Sequence, residues 1–122
     1  MDDSGLRVLV VDDDVEHLEL VRRQLESFGF VVRTFDSGLG VTNEVREFRP
    51  DVVLLDVNIP ALSGDRLVKL LRQSQAKSRL VLFSSSDRDR LRSLAKEVEA
   101  DHWIQKGIAP NALADQLRRL CR

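Results

Sequence analysis

Five side chains suited to phosphate or metal chemistry stand where apolar runs of the sequence stop. The run LRVLVV, Leu6 to Val11, stops at Asp12 and Asp13, and DVVLLD closes on Asp56. The run LVLFS ends in Ser84, and the short segment from His102 to Gln105 is followed by Lys106. Two like charges about 4 Å apart repel by roughly 4 kcal/mol at an effective dielectric near 20. Three clustered carboxylates must therefore take up a proton or hold a cation. Oxygen ligands with room for water suit magnesium, or manganese in its place. An ammonium and a hydroxyl beside a free carboxylate complete the equipment of phosphoryl transfer. The carboxylate attacks phosphorus while cation and lysine hold the equatorial oxygens.

Those five residues meet only if the chain brings four run ends to one edge. Val15, Leu18, Val21, Leu25 and Phe28 recur at helical steps and end at Gly29. Val31 to Phe35 is a short β-prone run. A weaker helical pattern through Val41, Val45 and Phe48 is closed by Pro50. Leu67, Leu70 and Leu71 mark a third helix after a loop with Pro60 and Gly64. Leu91, Leu94, Ala95 and Val98 mark a fourth, and Pro110 opens a fifth carrying Leu113, Leu117, Leu120 and Cys121. Strands alternating with helices predict an α/β fold, a five-stranded parallel sheet covered on both faces. The first, third and fourth strands are nearly all apolar, as doubly covered strands are. The second, with Arg33 and Thr34, and the fifth, with His102 and Gln105, read as edges. This fits the flavodoxin-like order 2-1-3-4-5, with ligands bound at the carboxyl edge where the order reverses. The reversal falls between the strands that carry the three aspartates.

Val-Val-Asp12-Asp13, Leu-Leu-Asp56-Val-Asn58-Ile-Pro60 with Gly64, Phe83-Ser84-Ser85 and Trp103-Ile-Gln-Lys106 together resemble the receiver domains of two-component response regulators. The resemblance spans almost the whole chain and implies one receiver domain over residues 1–122, a switch rather than an enzyme. It implies that Asp56 accepts a phosphoryl group from a histidine kinase or phosphotransfer protein and assists its own dephosphorylation. Asp13, Asp56 and the backbone carbonyl of Asn58 would ligate magnesium, with Asp12 acting mainly through water. Ser84 and Lys106 would bind the phosphoryl oxygens, and a backbone N–H near Ser85 would complete the cradle. The signal would leave through the face of the fourth helix, fifth strand and fifth helix, with Ser84 and Trp103 as switch residues. An effector protein or output domain would read that face, the protein being a monomer or a weak dimer through it. Two positions depart from the family. Gly107 follows Lys106 where a proline in a cis peptide is common, and without proline a cis bond costs about 3 kcal/mol. Trp103 replaces a tyrosine or phenylalanine that moves between exposed and buried rotamers, and its indole is harder to fit inward.

Each residue also has a plainer reading. Asp13 or Asp14 could cap the helix that follows, with Glu16 at capping-box spacing. Asp56, Asn58 and Pro60 could be turn chemistry, Ser84 to Ser86 another cap, and Lys106 a solvated loop lysine. The coincidence of four strand ends favours chemistry. A receiver-like scaffold that binds partners without phosphorylation is the second reading, and the intact set of five residues argues against it. A haloacid-dehalogenase-like hydrolase would need a carboxylate where Asn58 stands. His17 and His102 have no neighbours at metal-ligand spacing and read as surface residues. Arg88, Arg90 and Arg92 read as a solvated helix face, or with Arg118, Arg119 and Arg122 as a basic patch.

Composition narrows the rest. Nineteen basic against twenty acidic residues give a net charge of −1, so no global field favours nucleic acid or an anionic membrane. One cysteine precludes an internal disulfide. No apolar run approaches the roughly 20 residues of a bilayer span, and the acidic start is unlike a targeting signal. The expected location is the cytoplasm, with neither nucleic acid nor membrane as a direct partner.

Overall fold

Alternation of apolar side chains along short strands, and their three- and four-residue recurrence along helices, produce a single parallel sheet with helices on both faces. The computed structural model describes residues 5–57 and 77–121. In chain order these form β1 (Arg7–Val11), α1 (Val15–Ser27), β2 (Val31–Phe35), α2 (Val41–Phe48), β3 (Val52–Leu55), β4 (Arg79–Ser84), α3 (Arg88–Glu97), β5 (His102–Gln105) and α4 (Pro110–Leu120). The sequence-predicted helix through Leu67, Leu70 and Leu71, and the loop with Asn58, Pro60 and Gly64, lie outside the described residues. The sheet order is β2-β1-β3-β4-β5, and every pairing is parallel. All of β3 and all but the first residue of β1 and β4 are buried. No residue of β2 is buried, and only Ile104 of β5 is. The edges are the two strands whose polar residues marked them.

Period-two alternation divides the core. Val8, Val10, Val52, Leu54, Val81, Phe83 and Ile104 pack against Leu18, Val21 and Leu25 of α1 and Leu113, Ala114 and Leu117 of α4. Leu9, Val11, Val53, Leu55, Leu80 and Leu82 pack against Val41 and Val45 of α2 and Leu91 and Ala95 of α3. Fully burying a Val or Leu side chain stabilises by about 1.5–3 kcal/mol, so the sheet is held from both sides.

Local chemistry sets the helix ends. Asp14 caps α1, its Oδ1 accepting from the His17 N–H at 3.1 Å. Asp87 caps α3 in the same way, accepting from Arg90 N–H at 2.9 Å. Pro110 opens α4. Gly40 begins α2 at φ +85, and a Cβ there would come within 3.3 Å of the Phe35 ring; only glycine fits both demands. The caps choose between the two candidates at α1 and correct the one at α3. Asp14 rather than Asp13 caps α1, which leaves Glu16 outside a capping box, and Asp87 rather than a serine of 84–86 caps α3.

Candidate functional site

Each charged residue at the carboxyl edge extends a strand by one rung. Asp12 N–H donates to Phe35 O (3.1 Å), Asp56 N–H to Val11 O (2.9 Å) and Lys106 N–H to Ser84 O (2.8 Å). Because the ladder continues, so does the alternation of faces. Asp12 follows Val8 and Val10, Asp56 follows Val52 and Leu54, and Lys106 follows Ile104, all on the face under α1 and α4. That shared register is why three sequence-distant side chains meet.

The meeting is close. Lys106 Nζ donates to Asp12 Oδ2 at 2.7 Å and lies 3.5 Å from Asp56 Oδ2. Asp12 and Asp56 are buried, whereas Asp13 is exposed. One carboxylate oxygen from each of Asp12, Asp13 and Asp56 lies within 4.8 Å of the others. Such a cluster of hard oxygen donors, partly open to water, fits magnesium, which keeps several waters and takes few protein carboxylates. Burial pushes the Asp12 carboxyl up, but the Lys106 ammonium, the Asp14 N–H at 3.0 Å and Asp56 outweigh it and hold it below the ordinary carboxylate value.

Ser84 is fully buried at the end of the neighbouring strand. Its Oγ lies 3.2 Å from Ser86 Oγ and accepts from Ser86 N–H at 3.2 Å. It is therefore at the carboxyl edge but engaged with its own loop, and Gln105 Nε2 donates to Ser86 O at 3.1 Å. The Lys106–Gly107 peptide is trans, as no cis bond occurs among the described residues, and Gly107 takes φ +95. Asn58 lies outside the described residues.

Trp103 sits on the other face of β5, half-buried against the α3 side of the core, with Arg88 5.7 Å above its ring. It borders two clefts. One, of about 540 Å³, also contacts Lys106, Gly107 and Gln116; the other, of about 620 Å³, runs along Arg92 and Lys96 of α3. Arg118 donates to Phe28 O at 2.7 Å and stands over the Phe30 ring.

The histidines are where sequence reasoning went wrong. His17 is no free surface residue, since its Nδ1 lies 3.1 Å from Asp12 Oδ2 and its ring 5.8 Å from that of Phe83. His102 is half-buried, its Nε2 3.0 Å from Gln116 Oε1. For His17 a usable signal was Asp14: a cap there makes His17 the third helical residue, on the turn facing the strand end.

The response regulator receiver domain family matches residues 8–118. The chain belongs to that family. It is 33% identical over 122 residues to the DNA-binding response regulator MtrA of Mycobacterium tuberculosis, covering 100% of this chain and 53% of that protein. It is 36% identical over 121 residues to the transcriptional regulatory protein PrrA of Mycobacterium leprae, covering 98% and 51%. This receiver chain thus spans about half the length of the curated relatives it matches. Among solved structures, the chemotaxis protein CheY4 of Vibrio cholerae superposes with a TM-score of 0.83 at 28% identity, covering 96% of this chain and 99% of that one. The flavodoxin-like fold and the family expected from the strand-end motifs both hold.

Proposed function

We propose that the receiver domain extends over residues 1–122 and is a phosphorylation switch whose acceptor is Asp56. The observation that carries this reading is Lys106 Nζ lying between the buried carboxylates of Asp12 and Asp56, 2.7 and 3.5 Å away. An Asp56 oxygen attacks the phosphorus of a kinase phosphohistidine, or of a phosphotransfer protein. The new O–P bond forms as the N–P bond breaks, and the imidazole leaves with the electron pair. Magnesium held by Asp13, Asp56 and the Asn58 carbonyl, with Asp12 through water, would supply the positive charge that draws the anionic reactants together. Lys106 moves from Asp12 to a phosphoryl oxygen. Ser84 turns its hydroxyl from Ser86 to the same group. The product carries close to two negative charges on its phosphoryl oxygens, where the Asp56 carboxylate carried one.

The output follows from which strand Lys106 terminates. Its cleft is shared with Trp103, and Arg88, Arg92 and Lys96 lie along the adjoining face of α3. A shift of Lys106 and Ser84 reaches that face through β5, where an effector or output domain reads it. A weak dimer could form through the same surface. Among the described residues no helix is long and apolar enough to cross a membrane, and the reading places the domain in the cytoplasm without direct nucleic-acid contact.

Incubation with acetyl phosphate and magnesium, followed by intact-mass measurement and Trp103 fluorescence, tests the proposal. One added phosphoryl mass is expected, dependent on magnesium and abolished by Asp56→Asn. Absence of the adduct and of any fluorescence change with every phosphodonor would leave the non-phosphorylated interaction module instead.

A further inference from the structure

Two donors converge on one oxygen of Asp12. Lys106 Nζ reaches Oδ2 at 2.7 Å and His17 Nδ1 at 3.1 Å, while Oδ1 accepts from Asp14 N–H at 3.0 Å. An ionised carboxylate can only accept, so the hydrogen bond fixes the proton on Nδ1 of His17. The imidazole is held independently of Asp12. Its backbone N–H is tied to the α1 cap Asp14, and its ring lies tilted at 35° against Phe83, leaving the side chain 22% exposed.

Lys106 cannot serve Asp12 and a phosphoryl group equally. In the proposed switch its ammonium turns toward the phosphoryl group on Asp56, and Asp12 loses its shortest hydrogen bond. His17 is already in place on the same oxygen. We propose that His17 is a positioning residue that keeps Asp12 oriented, through Nδ1–H, when Lys106 leaves for the phosphoryl group. The inference rests on the receiver reading. It assigns His17 no contact with the reacting atoms. Partners that orient a ligating or water-orienting carboxylate are worth about 10–100-fold in affinity or activity.

The test separates the two states of Lys106. Calorimetry would measure magnesium binding alone, and then beryllofluoride, a tetrahedral phosphoryl mimic, at saturating magnesium. His17→Leu removes the donor but keeps an apolar group against Phe83. His17→Asn keeps an N–H donor on the same δ position. The leucine variant is expected to bind beryllofluoride about tenfold more weakly with a smaller loss for magnesium alone, and the asparagine variant to recover most of the difference. Equal beryllofluoride affinity in wild type and leucine variant overturns the role, as does an asparagine variant as impaired as the leucine one. An equal loss for both ligands overturns the handover. Wild-type protein that fails to bind beryllofluoride with magnesium refutes the receiver reading itself. Imidazole ¹⁵N shifts give a readout that needs no variant: a proton on Nε2 rather than Nδ1 of His17 in the resting protein also overturns the assignment.

Discussion

Asp12 and Asp13 are adjacent in the chain but meet different surroundings, and their substitution should act in opposite directions. Asp12 is buried and ringed by donors; Asp13 is exposed at the mouth of the same cluster. In metal-free buffer Asp13 adds repulsion and brings little packing, so Asp13→Asn should leave the protein as stable or more so, by up to about 1 kcal/mol. The same change should weaken magnesium binding on the order of tenfold or more, since affinity follows ligand charge. Denaturant titration and calorimetry would show both. A clear loss of stability in the metal-free variant would mean that Asp13 is held by partners rather than strained by neighbours. Asp12 should show an acid limit. Its carboxyl titrates below the ordinary value because Lys106 and the Asp14 N–H overcome the effect of burial. A folded-state value below the unfolded one gives stability that is complete above the unfolded value, about 3.9. That stability is lost as pH falls through the lower, folded value. Asp12→Asn should therefore flatten the decline in stability below about pH 4, measured in chelator. A variant with the same acid slope as wild type would remove Asp12 as the cause.

At the scale of elements, α1 is tied to the site by its first turn. Asp14 accepts the His17 N–H, and that residue's ring then meets Asp12. Asp14→Ala should cost about 1 kcal/mol, the usual worth of such a cap, and should also move the His17 ring resonances. Loss of stability without any change at His17 would separate the cap from the site. The strands were legible in the sequence because a doubly covered strand is an apolar run and its end is marked by the first charge. Asp12 and Asp56 each stand one ladder rung beyond such a run and Lys106 one rung beyond the edge strand β5, so alternation places all three on one face. His17 was not legible by the same reasoning. Its five-residue separation from Asp12 crosses a strand end, a turn and a helix start, and its direction depends on which of Asp12, Asp13 and Asp14 acts as the cap. Ser84 shows a second limit. Its place at the end of β4 could be read, but the partner of a rotating hydroxyl depends on a loop whose conformation no periodicity encodes. For Trp103 the sequence marks the edge strand but not the depth of the indole. Half-burial beneath Arg88 is set by α3, an element distant in pattern though near in space.

For the whole molecule, the acidic strand ends should make the stability of the fold respond to a divalent ion. The sheet is covered on both faces by apolar side chains, so little in the core opposes folding. The carboxyl edge instead gathers three carboxylates, two of them beside the Lys106 ammonium. An ion that binds only the folded cluster stabilises the protein by RT ln(1 + [L]/Kd), about 2.7 kcal/mol at 100 times Kd. For a domain of this size that corresponds to a rise in Tm on the order of 10 °C. Ionic strength is the competing explanation, because added salt also screens repulsion between exposed charges, with a Debye length of about 10 Å at 0.1 M. The two differ in concentration dependence and in the residue they need. Screening by sodium chloride at matched ionic strength should raise Tm far less than magnesium and should act on the Asp56→Asn variant as on wild type. Specific binding should saturate with magnesium and shrink in that variant, which removes one of the charges in the cluster. Thermal unfolding of both proteins across a magnesium series, each point paired with a sodium chloride control, decides between them. Equal responses to the two salts would mean that the carboxylates are merely neighbours, and that the strand ends converge without forming a cation site.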